Sequence, residues 1–140
     1  MQSKEKDNLI IARLFPEEDV YEKLRELCHQ YDIKAAVVLS GIGQLKDIEL
    51  GFFKEKGDYA PQALDGNYEL LSLSGTMLAQ DGKTTFHLHG VFGDLEKKSL
   101  GGHLIRAKVS VTLEIALLKT GPLFRRQLEA ETGLEGMFLD

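Results

Sequence analysis

The chain has 140 residues, one domain's worth, enough to bury roughly two-thirds of its unfolded surface in a single core. Its 17 Lys plus Arg against 22 Asp plus Glu give a formal net charge of −5, and 43% of residues are hydrophobic. This balance excludes wholesale disorder, argues against a chain built to neutralise phosphates, and leaves no apolar run near the ~18 residues of a membrane span.

Residues 1–8 form a polar leader with no signal-type apolar segment behind it, and are expected to fray. Residues 8–14 then read as a first strand, stopped by Pro16. Glu17, Glu18 and Asp19 load negative charge into the following turn, as a helix dipole prefers. Val20, Leu24, Leu27, Cys28 and Tyr31 recur at three- and four-residue steps, so an amphipathic helix is predicted over 17–31. Cys28, the single cysteine, lies on its apolar stripe and has a packing role; His29, on the same helix, has none that stands out. A lone thiol and an acidic balance predict an intracellular, cytoplasmic setting.

Residues 35–39 are a continuous apolar run of strand length, followed by Gly41 and Gly43 at a sharp turn or bulge. Residues 48–53 predict another strand and 56–66 a loop. Residues 68–75 read as a strand ended by glycine, and Asp81-Gly82 is a hairpin signal. In the strand that follows, Phe86, Leu88 and Phe92 take one face while His87, His89 and Val91 take the other. From residue 104 to 118, Val109, Val111, Leu113, Ile115 and Leu117 alternate with Ser110, Thr112, Glu114 and Ala116. Many strands, hairpin connections and one clear helix predict a single α+β domain built on an antiparallel or mixed sheet.

Three histidines carry the chemistry. His87 and His89 leave the same face of their strand, roughly 7 Å apart along the chain. His103 follows Gly101 and Gly102 at the start of the next strand. If these strands form a hairpin, its parity decides the outcome. An odd loop centred on Glu96 sets odd positions opposite odd positions and brings His103 beside His89, on the face of His87; a two-residue turn sends it to the other side. Three converging imidazoles match a tetrahedral metal site with a fourth position open. Zinc is the default ion, although residue type alone also admits nickel, copper or iron. Gly101 and Gly102 allow a bulge, a positive φ, or a close approach of backbone or ligand. Glu69 and Glu114 are candidates to hydrogen-bond an imidazole or carry a proton, with a solvent-facing role as the equal alternative.

Glu69-Leu70-Leu71-Ser72-Leu73-Ser74-Gly75, His87-Leu88-His89, Gly101-Gly102-His103-Leu104 and Thr112-Leu113-Glu114-Ile115 resemble, in that order, the plant and prokaryote conserved (PPC) domain. The similarity runs from about residue 10 to residue 118. It implies a compact α+β fold that assembles as a homotrimer, with the three histidines matching the family's positions one by one. In plants the domain follows AT-hooks and serves self-association and contact with other nuclear proteins. This chain has no Arg-Gly-Arg core for a narrow minor groove, and Lys97-Lys98 and Arg125-Arg126 stand among acidic residues as charge-balanced surface.

Three functional classes follow. The preferred one is a homotrimeric binding or regulatory module with a three-histidine metal site, taking a small-molecule or protein ligand. The second is a small metal-dependent enzyme using metal-bound water, although no nucleophile elbow, P-loop or paired-cysteine ribbon points to a particular reaction. The third, a DNA-binding or transcription-associated protein, rests on the family label alone; direct nucleic-acid or membrane contact is not expected.

Overall fold

The computed structural model describes residues 1–139. The elements run β1 (Gln2–Lys6), β2 (Leu9–Leu14), α1 (Val20–Gln30), β3 (Ala35–Glu55), β4 (Asp58–Leu64), β5 (Tyr68–Gln80), β6 (Lys83–Gly93), β7 (Ser99–Thr120), β8 (Arg125–Leu128) and β9 (Glu135–Phe138). The first seven strands form one sheet in the order β1-β2-β7-β6-β5-β3-β4, and β8 with β9 forms a small hairpin. Every pairing between these strands is antiparallel, which removes the mixed alternative.

Two long strands organise the sheet. β3 pairs with β7 along one edge; on the other it takes first β5 and then β4. β7 likewise takes β6 near its start and β2 near its end. The β3–β7 pairing closes the sheet on itself. Gly41 and Gly43 lie inside β3 rather than ending it. A Cβ on Gly43 (φ 152°) would stand 1.9 Å from the Thr112 carbonyl oxygen, so this glycine lets β7 pass at close range. Gly75 lies inside β5 for a related reason, against the backbone of β6.

The main apolar cluster includes Ile10, Leu14, Leu45, Leu73, Leu88, Phe92, Leu104 and Leu113, all essentially without solvent contact, and Ala35, Leu78 and Phe124 form a second, small one. α1 closes one side with Val20, Leu24, Leu27 and Cys28. It begins at Val20, three residues later than expected, because Asp19 caps it by accepting from the Glu22 backbone N–H at 2.9 Å. Glu17 and Glu18 instead exchange backbone hydrogen bonds with Val109. The Tyr21 hydroxyl donates to the Leu104 carbonyl and ties the helix to β7 beside His103. Burial raises the Cys28 thiol to about 11, in keeping with its packing role.

Two expectations are corrected. The leader is not frayed: Gln2–Lys6 is a strand paired with β2, and Ser3 Oγ lies 2.8 Å from the Tyr31 hydroxyl. Residues 56–66 are not a loop: a tight turn at Gly57 (φ 83°) leads into β4, whose exposed polar residues and Pro61 suit an outer strand. No helix among the described residues is long and apolar enough to cross a membrane.

Candidate metal centre

β6 and β7 form the hairpin on which the site depends. Gly93 pairs with Ser99, leaving the five residues 94–98 as its loop. Asp94 Oδ1 accepts from the Lys98 backbone N–H at 2.8 Å, and Lys97 takes the left-handed position (φ 69°) with no glycine to ease it. The odd count sets His89 directly opposite His103. His103 also pairs with Gly51 of β3, so its backbone is held from both edges. His87 lies beyond the β6–β7 ladder and pairs with Thr76 of β5.

The three rings converge. Centroid separations are 5.1 Å for His87–His89 and 5.3 Å for each of the pairs with His103. The Nε2 atoms of His87 and His89 are 3.2 Å apart, and one ring nitrogen from each histidine falls in a set whose members lie within 4.8 Å of one another. Nitrogens around tetrahedral Zn²⁺ stand about 3.3 Å apart, given bonds of about 2.0–2.1 Å. The His87–His89 spacing therefore matches such an ion, the His103 nitrogen lies within 4.8 Å of both, and three donors leave one position for another ligand. Its protonation fits as well: burial, then the charges of His87 and His89, pull the half-buried His103 down to about 4. Burial, the Arg126 charge and His89 lower His87 in the same direction. Both rings are thus neutral at pH 7 and can offer a lone pair.

The remaining sequence candidates are placed differently. Gly101 and Gly102 have no positive φ; their role is close approach by the protein's own backbone. A Cβ on Gly101 would stand 2.6 Å from the Gly90 carbonyl oxygen, and one on Gly102 3.3 Å from that of Gly51. Glu69 and Glu114 are exposed and outside the histidine group. Glu69 accepts from Gln44 Nε2 at 2.8 Å, while Glu114 sits in register between Arg13 and Ile42.

Sequence reasoning missed two neighbours of the site. Tyr59 of β4 lies over Gly51, where a Cβ would come within 2.3 Å of its ring and hydroxyl, and it stands edge-on to His103 with centroids 6.2 Å apart. Arg126 of β8 is half-buried, not solvated surface: its Nη2 donates to Thr76 Oγ1 at 2.8 Å, on the strand position paired with His87. A glycine across the ladder from His103 is the one signal that could have pointed to Tyr59. Arg126 had none, because its position depends on how the last hairpin folds back.

The sequence model of the Plants and Prokaryotes Conserved (PCC) domain matches residues 1–120. The chain belongs to this family. The PCC fold recurs in a Pyrococcus horikoshii plant- and prokaryote-conserved protein, 27% identical, with a TM-score of 0.80 over 99% of this chain and 96% of that one. A metal-containing protein from Archaeoglobus fulgidus is 27% identical, with a TM-score of 0.83 over 96% of this chain and 95% of that one. A Bacteroides thetaiotaomicron protein provisionally labelled DNA-binding shares the fold at a TM-score of 0.91 and 22% identity, over 99% and 96% of the two chains. Among curated proteins, the bifunctional protein GlmU of Synechococcus sp. (strain JA-2-3B'a(2-13)) is 34% identical over 123 residues. That match takes in 86% of this chain and only 18% of the relative's length.

Proposed function

We propose that this PCC domain works as a homotrimeric binding or regulatory module in which His87, His89 and His103 hold a divalent transition metal, zinc first. The observation that carries the reading is the set of three imidazole nitrogens within 4.8 Å, drawn from two adjacent strands whose register brings them together. The metal-containing relative from Archaeoglobus fulgidus supports it. Once bound, the ion supplies Lewis acidity and a coordination position for a ligand. The chain's own residues prepare that position. The closely paired backbones fix His89 and His103, Tyr59 shields one flank, and burial keeps His87 and His103 unprotonated.

Assembly is supported by an apolar row on the outer face. Leu9 of β2, Leu118 of β7 and Val37 of β3 are register partners, each more than a third exposed, with Ile11 and Leu39 beside them about half exposed. Such a face on a small domain suits a second copy of the chain. Direct DNA contact is disfavoured by the acidic net charge and by the lack of an Arg-Gly-Arg core.

The test is elemental analysis of purified wild-type protein beside a His87→Ala, His89→Ala double variant. The expected result is loss of metal with unchanged far-UV circular dichroism, because the packing face of β6 is Leu88 and Phe92. Equal metal in both proteins removes the reading.

A further inference from the structure

Arg126 is held in place by uncharged partners, the Glu135 carboxylate acting on it only from beyond ion-pairing distance. Its backbone N–H is bound by Gln80 Oε1 at 3.1 Å, its Nη1 donates to the Glu135 carbonyl at 3.3 Å, and its guanidinium lies 5.8 Å above the Phe124 ring. With Nη2 on Thr76, two of the five guanidinium N–H donors are engaged, both by uncharged oxygens. Among the described residues no carboxylate lies within ion-pairing distance of it, although the chain as a whole carries an excess of acid. Thr76 and His87 are cross-strand partners and share one face, so the guanidinium, bound to Thr76, lies on the His87 side of the cluster. Its charge adds to the burial that lowers His87.

The opposite flank carries Tyr59. Its hydroxyl has no hydrogen-bond partner among the described residues, and it stands at Gly51, the register partner of His103. The cluster is thus bordered by a fixed cation on the His87 side and an unused hydroxyl donor on the His103 side. A divalent ion on the histidines adds two positive charges beside that guanidinium, with no protein carboxylate in the group to offset them. At such spacings the repulsion is substantial, and an anion between the two centres removes it. The planar fork of arginine is suited to an oxygen-bearing anion in particular.

We propose that the site is an oxyanion receptor: a small ligand bearing a carboxylate or phosphoryl group is shared between the histidine-held metal and Arg126, with the Tyr59 hydroxyl as a further donor. The assignment rests on the metal reading above. It narrows the ligand class from any small molecule or protein to small anions, and it gives the last hairpin a purpose, that of delivering the guanidinium to the cluster.

Cobalt(II) in place of zinc gives a visible spectrum sensitive to its ligands and lets the two readings be tested separately. Metal content is measured first, then the loaded protein is titrated at constant ionic strength, in chloride, with inorganic phosphate and separately with acetate. The expected result is a saturable spectral change with at least one of them. Saturation with acetate alone assigns a carboxylate, and with phosphate alone a phosphoryl group. Arg126→Gln is expected to take up the same amount of cobalt and to bind that anion about 10- to 100-fold more weakly, and Tyr59→Phe several-fold more weakly. Arg126→Lys, which keeps the charge but loses the fork, should fall between wild type and Arg126→Gln and guards against misfolding of the last hairpin. Loaded wild-type protein that responds to neither anion, or an Arg126→Gln variant that titrates like wild type, overturns the oxyanion assignment while leaving the metal in place. Wild-type protein that takes up no cobalt overturns both.

Discussion

At the scale of single residues, the site is defined by where protons are unwelcome. The folded chain holds the pKa of His103 near 4, against 6.5 in a solvated chain, and moves His87 the same way. Between those values the unfolded chain binds more protons than the folded one, so stability must rise with pH. In metal-free protein this histidine contribution is therefore expected to be fully present above about pH 6.5 and to be lost as the pH falls, itself levelling off below about pH 4, where the lowered carboxylates of Glu17, Glu18 and Asp32 continue the loss. Solvent on the open side of the cluster limits the loss to about 1–2 kcal/mol. Urea unfolding at about pH 7.5 and about pH 4.5 measures it. A His103→Gln variant should show a flatter profile, and an unchanged slope there assigns the acid sensitivity to other groups. The histidines themselves were legible in the sequence, since alternation along one strand and a glycine-preceded third member are local patterns. Tyr59 and Arg126 were not, because each reaches the site across a strand pairing that no local pattern announces.

At the scale of elements, legibility followed burial. The stripe of α1, Ile10, Ala12 and Leu14 of β2, and Val109, Leu113, Ile115 and Leu117 of β7 face the core, and their periodicity shows it; Val111, expected on the same face, is exposed where the β3–β7 register shifts. β1 and β4 have little apolar surface to alternate, so a strand looked like a leader in one case and a loop in the other. Gly41, Gly43 and Gly75 read as punctuation, whereas they lie inside continuous strands, Gly43 and Gly75 where another backbone passes closely and Gly41 where the Leu73 side chain packs. The β6–β7 loop was the one tertiary feature on which a definite condition could be set in advance, and the five residues between Gly93 and Ser99 meet it. A sharp test follows. Inserting one glycine after Glu96 reverses which face His103 takes and is expected to abolish metal uptake; inserting two restores the face and a substantial part of the uptake. Equal metal content in the two insertion variants shows that the hairpin register does not set the site.

At the scale of the whole molecule, the closed sheet places the histidines and the apolar row on one continuous outer surface. The register runs from Leu9 through Leu118, Val37 and Thr76 to His87, so the proposed assembly face and the metal centre are joined strand by strand. If the proposed assembly forms through this face, charging it dissociates the copies without unfolding the chain. An Ile11→Glu, Leu39→Glu variant should sediment as a monomer with native circular dichroism, since both side chains point away from the core. A wild-type protein that sediments as a monomer removes the assembly reading.

The seven-stranded sheet still ends in two rims, β1 and β4, and both are guarded. β4 presents Pro61, which has no N–H to donate, and β1 presents the exposed lysines Lys4 and Lys6. Neither rim offers an uninterrupted template for a foreign strand. Copies of the protein are thereby denied edge-to-edge growth into ribbons, strand added to strand along either rim.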